Sequence, residues 1–100
     1  MRIDFDWDPA TAASNAKKHG VTFEAAMPVF HDAFARSILD PDSSPGDERR
    51  ITLGEGATGN LLVVVHTWSE VAADRIAVRI ISARRPTPSE TRQYREDPAP

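Results

Sequence analysis

Arg79 and Arg84 are the residues of this chain best suited to chemistry on a phosphate ester. A guanidinium is a planar fork that meets phosphate oxygens at two points. They belong to a cluster of six arginines (75, 79, 84, 85, 92 and 95) that faces a single acid, Glu90, between residues 75 and 95. Displacement at a phosphate ester needs a base for the attacking hydroxyl, cations for the phosphorane and an acid for the leaving oxygen. His19 carries an imidazole that can be base or acid, with Lys18 beside it as a phosphate contact. Glu48 can be a general base or can orient an arginine. Each has a structural alternative. His19 can bond the last carbonyls of a helix, Lys18 can be a solvated charge, and Glu48 with Arg49 can be a surface ion pair worth about 0–1 kcal/mol.

Other polar and aromatic residues read as structure. His66 sits in an apolar run and fits a satisfied core position, and His31 follows a helix end. Trp7 and Trp68 fit the core or its rim better than a stacking platform for RNA bases. The histidines are scattered, with no carboxylate at short spacing, and there is no cysteine, so neither a metal site nor another cofactor is expected.

The elements that must position these groups are legible. Ile3, Phe5 and Trp7 alternate with Arg2, Asp4 and Asp6, the pattern of a half-buried strand. Asp8-Pro9 opens an alanine-rich helix to His19, with Lys17, Lys18 and His19 where the helix dipole favours cations, and Gly20 as its stop. Thr22 caps a second helix from Phe23 to about Phe30, which Pro28 must distort. Residues 35–40 form a weak strand, 41–47 a polar loop, and 48–55 and 61–68 two strands, the second central. Residues 69–74 turn back into a last strand, 75–83. Thr87, Pro88 and Glu90 open a final helix with a capping box. Arg79 and Arg84 are five apart and point to opposite faces of a regular strand. They share a face only if the strand ends or bulges near Ser82.

The order is then β-α-α-β-β-β-β-α, an α+β fold with an antiparallel sheet and helices on one side, in one domain spanning residues 1–95 with a frayed tail at 96–100. Net charge is −3, which alone argues against a nucleic-acid binder. The distribution is uneven. Residues 1–48 hold four Lys/Arg against nine Asp/Glu, and residues 49–100 hold eight against six. No apolar run approaches a membrane span, and the acidic N-terminus lacks the pattern of a signal peptide, so a cytoplasmic protein is expected.

Three blocks, DFDWDPATAASNAKKHGVTFEAA (4–26), GDERRITLG (46–54) and RIISARRPTPSETRQY (79–94), together resemble the BrnT toxins of bacterial type II toxin–antitoxin systems. The resemblance runs from Phe5 to Tyr94. It implies a small RelE-like fold with a twisted antiparallel sheet, and metal-independent endoribonuclease activity that inhibits translation. It also implies a BrnA-type ribbon–helix–helix antitoxin through which operator DNA is bound indirectly. On this reading Lys18, His19, Glu48, Arg79 and Arg84 carry the cleavage. Lys17, Arg49, Arg85, Arg92 and Tyr94 extend the RNA-binding surface, Tyr94 alternatively packing the last helix on the sheet. Thr11, where the family often has lysine, and Pro86, where a small residue is common, predict weaker RNA binding. The competing expectation is a non-catalytic binding module that acts only as co-repressor. A metal-dependent phosphodiesterase lacks the ligand spacing.

Overall fold

The structure, a computed structural model, describes residues 1–46 and 48–96. Its elements are β1 (Arg2–Asp6), α1 (Pro9–His19), α2 (Phe23–Ala26), a 3₁₀ turn (Met27–His31), β2 (Arg36–Leu39), β3 (Arg50–Glu55), β4 (Leu61–His66), β5 (Ser69–Ala72), β6 (Arg75–Arg84) and α3 (Pro88–Glu96). Both ends of α1 form as the sequence requires. The Asp8 carboxylate accepts from the Thr11 N–H, and Gly20 takes the left-handed conformation at φ 69°. Pro28 acts as expected: α2 ends at Ala26 and the chain continues as a 3₁₀ turn with the proline at its start.

Four features differ from the sequence reading. The sheet, ordered β1-β6-β4-β3-β2, is mixed rather than antiparallel, because β1 runs parallel to β6 with Ile3 beside Ile76 and Asp6 beside Arg79. Periodicity identifies a strand but not its partner. Residues 69–72 form an additional strand, β5, against the start of β6; all four are exposed, so no alternation marked them. The 48–55 strand begins at Arg50, which leaves Glu48 and Arg49 in the preceding loop. The helices do not share one side.

Cross-strand register establishes the two faces. Thr52, Gly54, Leu62, Val64, His66, Ile76, Val78 and Ile80 point to one, with Ile3 and Phe5. There α1, α2 and the 3₁₀ turn close the main core around Phe23, Ala26 and Val29, all fully buried. Gly54 permits this approach, since a Cβ there would meet Val29 Cγ1 at 2.9 Å. Leu53, Leu61 and Val63 point the other way and form a smaller cluster with Tyr94 of α3. So α3 covers the opposite face, and none of its residues is buried. It is the last element described: residues 97–100 of the expected tail lie outside the described residues, and Glu96 belongs to the helix. Among the described helices none is long and apolar enough to cross a membrane.

Candidate active site

β6 carries the arginines, and its register decides where they point. Val65 lies opposite Ser82, but the next residue, His66, lies opposite Ile80, so Ile81 is an extra residue. This β-bulge reverses the alternation. Ile80 and Ala83 both enter the main core, while Arg79, Ser82 and Arg84 lie on the other face. The geometric condition set by the sequence, a bulge near Ser82, is met.

Both arginines have carboxylate partners. Arg79 pairs with Asp6, directly across on β1, and below it Arg75 and Arg2 share Asp4, with Nε–carboxylate distances of 2.6 and 2.8 Å. These form an exposed ladder along β1 and β6. The two arginines, Arg75 first, hold the Asp4 carboxyl below the usual range. Arg84 makes a two-point bridge to Glu90, at 2.9 and 3.0 Å. Glu90 also accepts the Thr87 N–H at 2.7 Å, and its own N–H donates to Thr87 Oγ1 at 3.2 Å, completing the expected capping box. Chiefly through Arg84, and against the effect of burial, the Glu90 carboxyl is pulled down to about 2. One carboxylate thus caps α3 and fastens it to β6.

The remaining expected residues divide between the two ends of the bulged strand. Toward the Arg79 end, Glu48 lines an open cleft of about 350 Å³ with Gly46, Thr67, Trp68 and Ser69. Thr67 is tied to Arg79 in both directions: its N–H donates to the Arg79 carbonyl at 2.9 Å, and its Oγ1 accepts the Arg79 N–H at 3.0 Å. Arg49 turns back into its own loop, with Nε 3.7 Å from Asp40 Oδ2. At the Ala83 end is α1. Its Asn15 side chain, buried, accepts the Ala83 N–H at 3.1 Å and donates to the Ala83 and Val21 carbonyls at 2.8 and 3.0 Å. An amide here replaces a strand partner beyond the end of β1. His19, half-buried, is one turn past Asn15 on the same helix face, and Lys17 and Lys18 are exposed beside it. Four residues of strand, roughly 13 Å, separate Arg79 from Ala83. His19 and Lys18 therefore lie toward the opposite end of β6 from Glu48. Arg85 and Arg95 line a cleft of about 290 Å³ at this same end, and Arg92 is exposed on α3.

Tyr94 donates its hydroxyl to Asp32 Oδ2 at 2.5 Å, and the same oxygen accepts the Glu55 N–H at 2.8 Å. Burial, then the Asp32 carboxylate, push the tyrosine up to about 12. For Asp32 burial works upward, but the Tyr94 hydroxyl and the Phe34 and Glu55 N–H groups leave its carboxyl below the usual range. Tyr94 thus packs α3 on the sheet.

His66 is fully buried and satisfied. Its Nδ1 lies 2.8 Å from the Thr67 carbonyl, which can only accept, so Nδ1 carries the proton and Nε2 accepts the Thr52 hydroxyl at 2.6 Å. Thr52 Oγ1 in turn accepts from Ser37. Burial, chiefly, holds His66 below its usual range, and Phe30 meets the ring edge-on with centroids 4.6 Å apart. Sequence reasoning missed Asn15 and Asp32. A polar residue within an apolar helix pattern was the available signal for Asn15; for Asp32 there was none, since its partners are 23 and 62 residues away. Among the described residues no three of His, Cys, Asp or Glu converge as a metal donor set.

The family model "Ribonuclease toxin, BrnT, of type II toxin-antitoxin system" matches residues 7–90. No curated protein sequence matches. Among solved structures the chain is similar to the Brucella abortus ribonuclease toxin BrnT, with 20% identity over 87% of this chain and 99% of that one and a TM-score of 0.57. At that identity the likeness speaks for the fold.

Proposed function

Because the chain belongs to the BrnT family of type II toxin–antitoxin ribonuclease toxins, we propose that it is an endoribonuclease that cleaves RNA on the arginine face of β6 and thereby inhibits translation. The observation that carries this reading is the bulge at Ile81, which aligns Arg79, Ser82 and Arg84 on one face. A single RNA strand lies along them, with Arg79 and Arg84 on different phosphates. Chemistry takes place at the Arg79 end. Proton transfer needs hydrogen-bond reach, about 2.6–3.2 Å, and Glu48 is the expected titratable group at this end. Glu48 takes the 2′-hydroxyl proton, the 2′-oxygen attacks phosphorus, and Arg79 neutralises the phosphorane. The bond to the 5′-oxygen breaks, and solvent protonates that oxygen. The products are a 2′,3′-cyclic phosphate and a 5′-hydroxyl. Arginine meets the charge, so no metal is needed.

Lys17, Lys18, His19, Arg84, Arg85 and Arg92 then grip the strand further along, while Arg49 and Tyr94 shape the surface. A type II toxin works against a protein antitoxin, and we assign that role to a BrnA-type ribbon–helix–helix protein through which operator DNA is reached. In the test, expression arrests growth and purified protein cleaves RNA with chelator present. Arg79→Ala abolishes both while the far-ultraviolet circular dichroism is unchanged, and Arg84→Ala weakens both. Full toxicity of both variants would defeat this site.

A second reading draws on the partners of those arginines. Asp6 and Glu90 neutralise Arg79 and Arg84, which suits a catalytically silent co-repressor. A folded protein that binds its antitoxin and operator but leaves RNA intact would establish it.

A further inference from the structure

We propose that the cleft beside Glu48 is a subsite for one unstacked nucleobase, with the indole of Trp68 as its platform; this rests on the ribonuclease reading above. Trp68 is half-buried. It packs against the main core and meets the His66 ring edge-on, with centroids 6.4 Å apart at 63°. It also lines the cleft, together with Gly46, Glu48, Thr67 and Ser69. Among the described residues the cleft is thus lined by one aromatic side chain and otherwise by hydroxyls, a carboxylate and a glycine.

That composition selects among ligands. An aliphatic group would leave the hydroxyls and carboxylate unpaired, and a bare phosphate would meet Glu48 with like charge. A flat heteroaromatic ring with polar edges satisfies both kinds of wall, as bases do on aromatic platforms. The Thr67 hydroxyl oxygen already accepts the Arg79 N–H at 3.0 Å, so its own hydrogen is available to donate to a base edge. Hydroxyls donate and accept, so the subsite tolerates any base. The back of the platform is rigid, because His66 is fixed on one side by Thr52 and on the other by the Thr67 carbonyl.

Position gives the subsite its use. Its Thr67 wall is bonded through two hydrogen bonds to the backbone of Arg79. A base stacked on Trp68 keeps its own ribose beside Glu48 and the following phosphate toward Arg79. Trp68 is then a positioning residue that places the 2′-hydroxyl.

The test uses the full chain with both indoles ¹⁵N-labelled, titrated with adenosine 5′-monophosphate and, separately, ribose 5-phosphate. The Trp68 indole N–H signal should move with the nucleotide and not with the sugar phosphate. Trp7, packed edge-on against Phe23 with centroids 5.8 Å apart, serves as the internal reference. No movement of Trp68, or equal movement with both ligands, overturns the subsite. In cleavage of a short RNA, Trp68→Ala should lower kcat/KM about tenfold or more, and Trp68→Phe should restore most of it. Equal loss in both variants overturns the platform role. Nucleotide binding at Trp68 without any RNA cleavage would uphold the subsite and remove the ribonuclease reading. Cleavage indifferent to Trp68→Ala would do the reverse.

Discussion

The two faces of the sheet are held by different physics. On one, α1 and α2 close over Phe23, Val29, Val64, Val78 and Ile80, all buried almost completely. The polar groups there, Asn15 and His66, have their hydrogen bonds made. On the other, α3 buries none of its own residues and is fastened by two polar attachments, Arg84–Glu90 and Tyr94–Asp32. Beside it the ladder of Arg2, Asp4, Arg75, Asp6 and Arg79 lies open to solvent. Apolar burial supplies stability in proportion to area, whereas exposed ion pairs supply little. The first face makes the protein a folded body. The second is held by charged contacts open to solvent, of the kind a phosphate can replace at a guanidinium.

Mutation separates the two faces. Phe23→Ala removes a fully buried ring and should cost about 3–5 kcal/mol, read from the urea midpoint. A cost below that of the polar attachments would show that the first face is not the dominant core. Glu90→Gln should cost about 1–2 kcal/mol at neutral pH.

Acid sharpens the contrast, since both faces weaken but in different windows. His66 is buried neutral with its folded pKa lowered, so it binds protons more readily when unfolded. Its contribution is complete above about 6.5 and is lost as pH falls below that value. Glu90 contributes above its ordinary 4.5, and that contribution is lost as pH falls toward about 2. Glu90→Gln should therefore flatten stability against pH between 4.5 and 2 and leave the decline just below 6.5 intact. A change confined to the upper window would reverse the assignment.

Tyr94→Phe should cost about 1 kcal/mol and speed amide exchange in α3 while α1 stays protected. Asp4→Asn should have the smallest effect, a shift in thermal melting within the scatter of replicates that vanishes in high salt. A large loss there would show that the ladder is structural.

Much of this was legible from local chemistry. Asp8-Pro9 with Gly20, and Thr87-Pro88 with Glu90, carry their signals within a few residues, and both helices start, and the first stops, as those signals require. The same local reading raised the possibility of a bulge at Ser82, though not that it would occur. What escaped depends on contacts far apart in sequence. The parallel pairing of β1 with β6, the docking of α3 on the opposite face and the reach of Asn15 to Ala83 all join residues more than 30 apart. The candidate site divided for the same reason. Lys18, His19 and Glu48 read as one set along the chain, and the helix that carries the first two runs toward the far end of β6.

The parallel pairing of β1 also bears on how the protein is made. Residues 2–6 find their partner only at residues 75–79. A growing chain therefore emerges from the ribosome with Ile3 and Phe5 lacking their strand partners until residues 75–79 have been synthesised. Asn15 likewise waits for Ala83. Such distant contacts delay folding, so the arginine face is assembled only once β6, which joins β1 to β4, has been made.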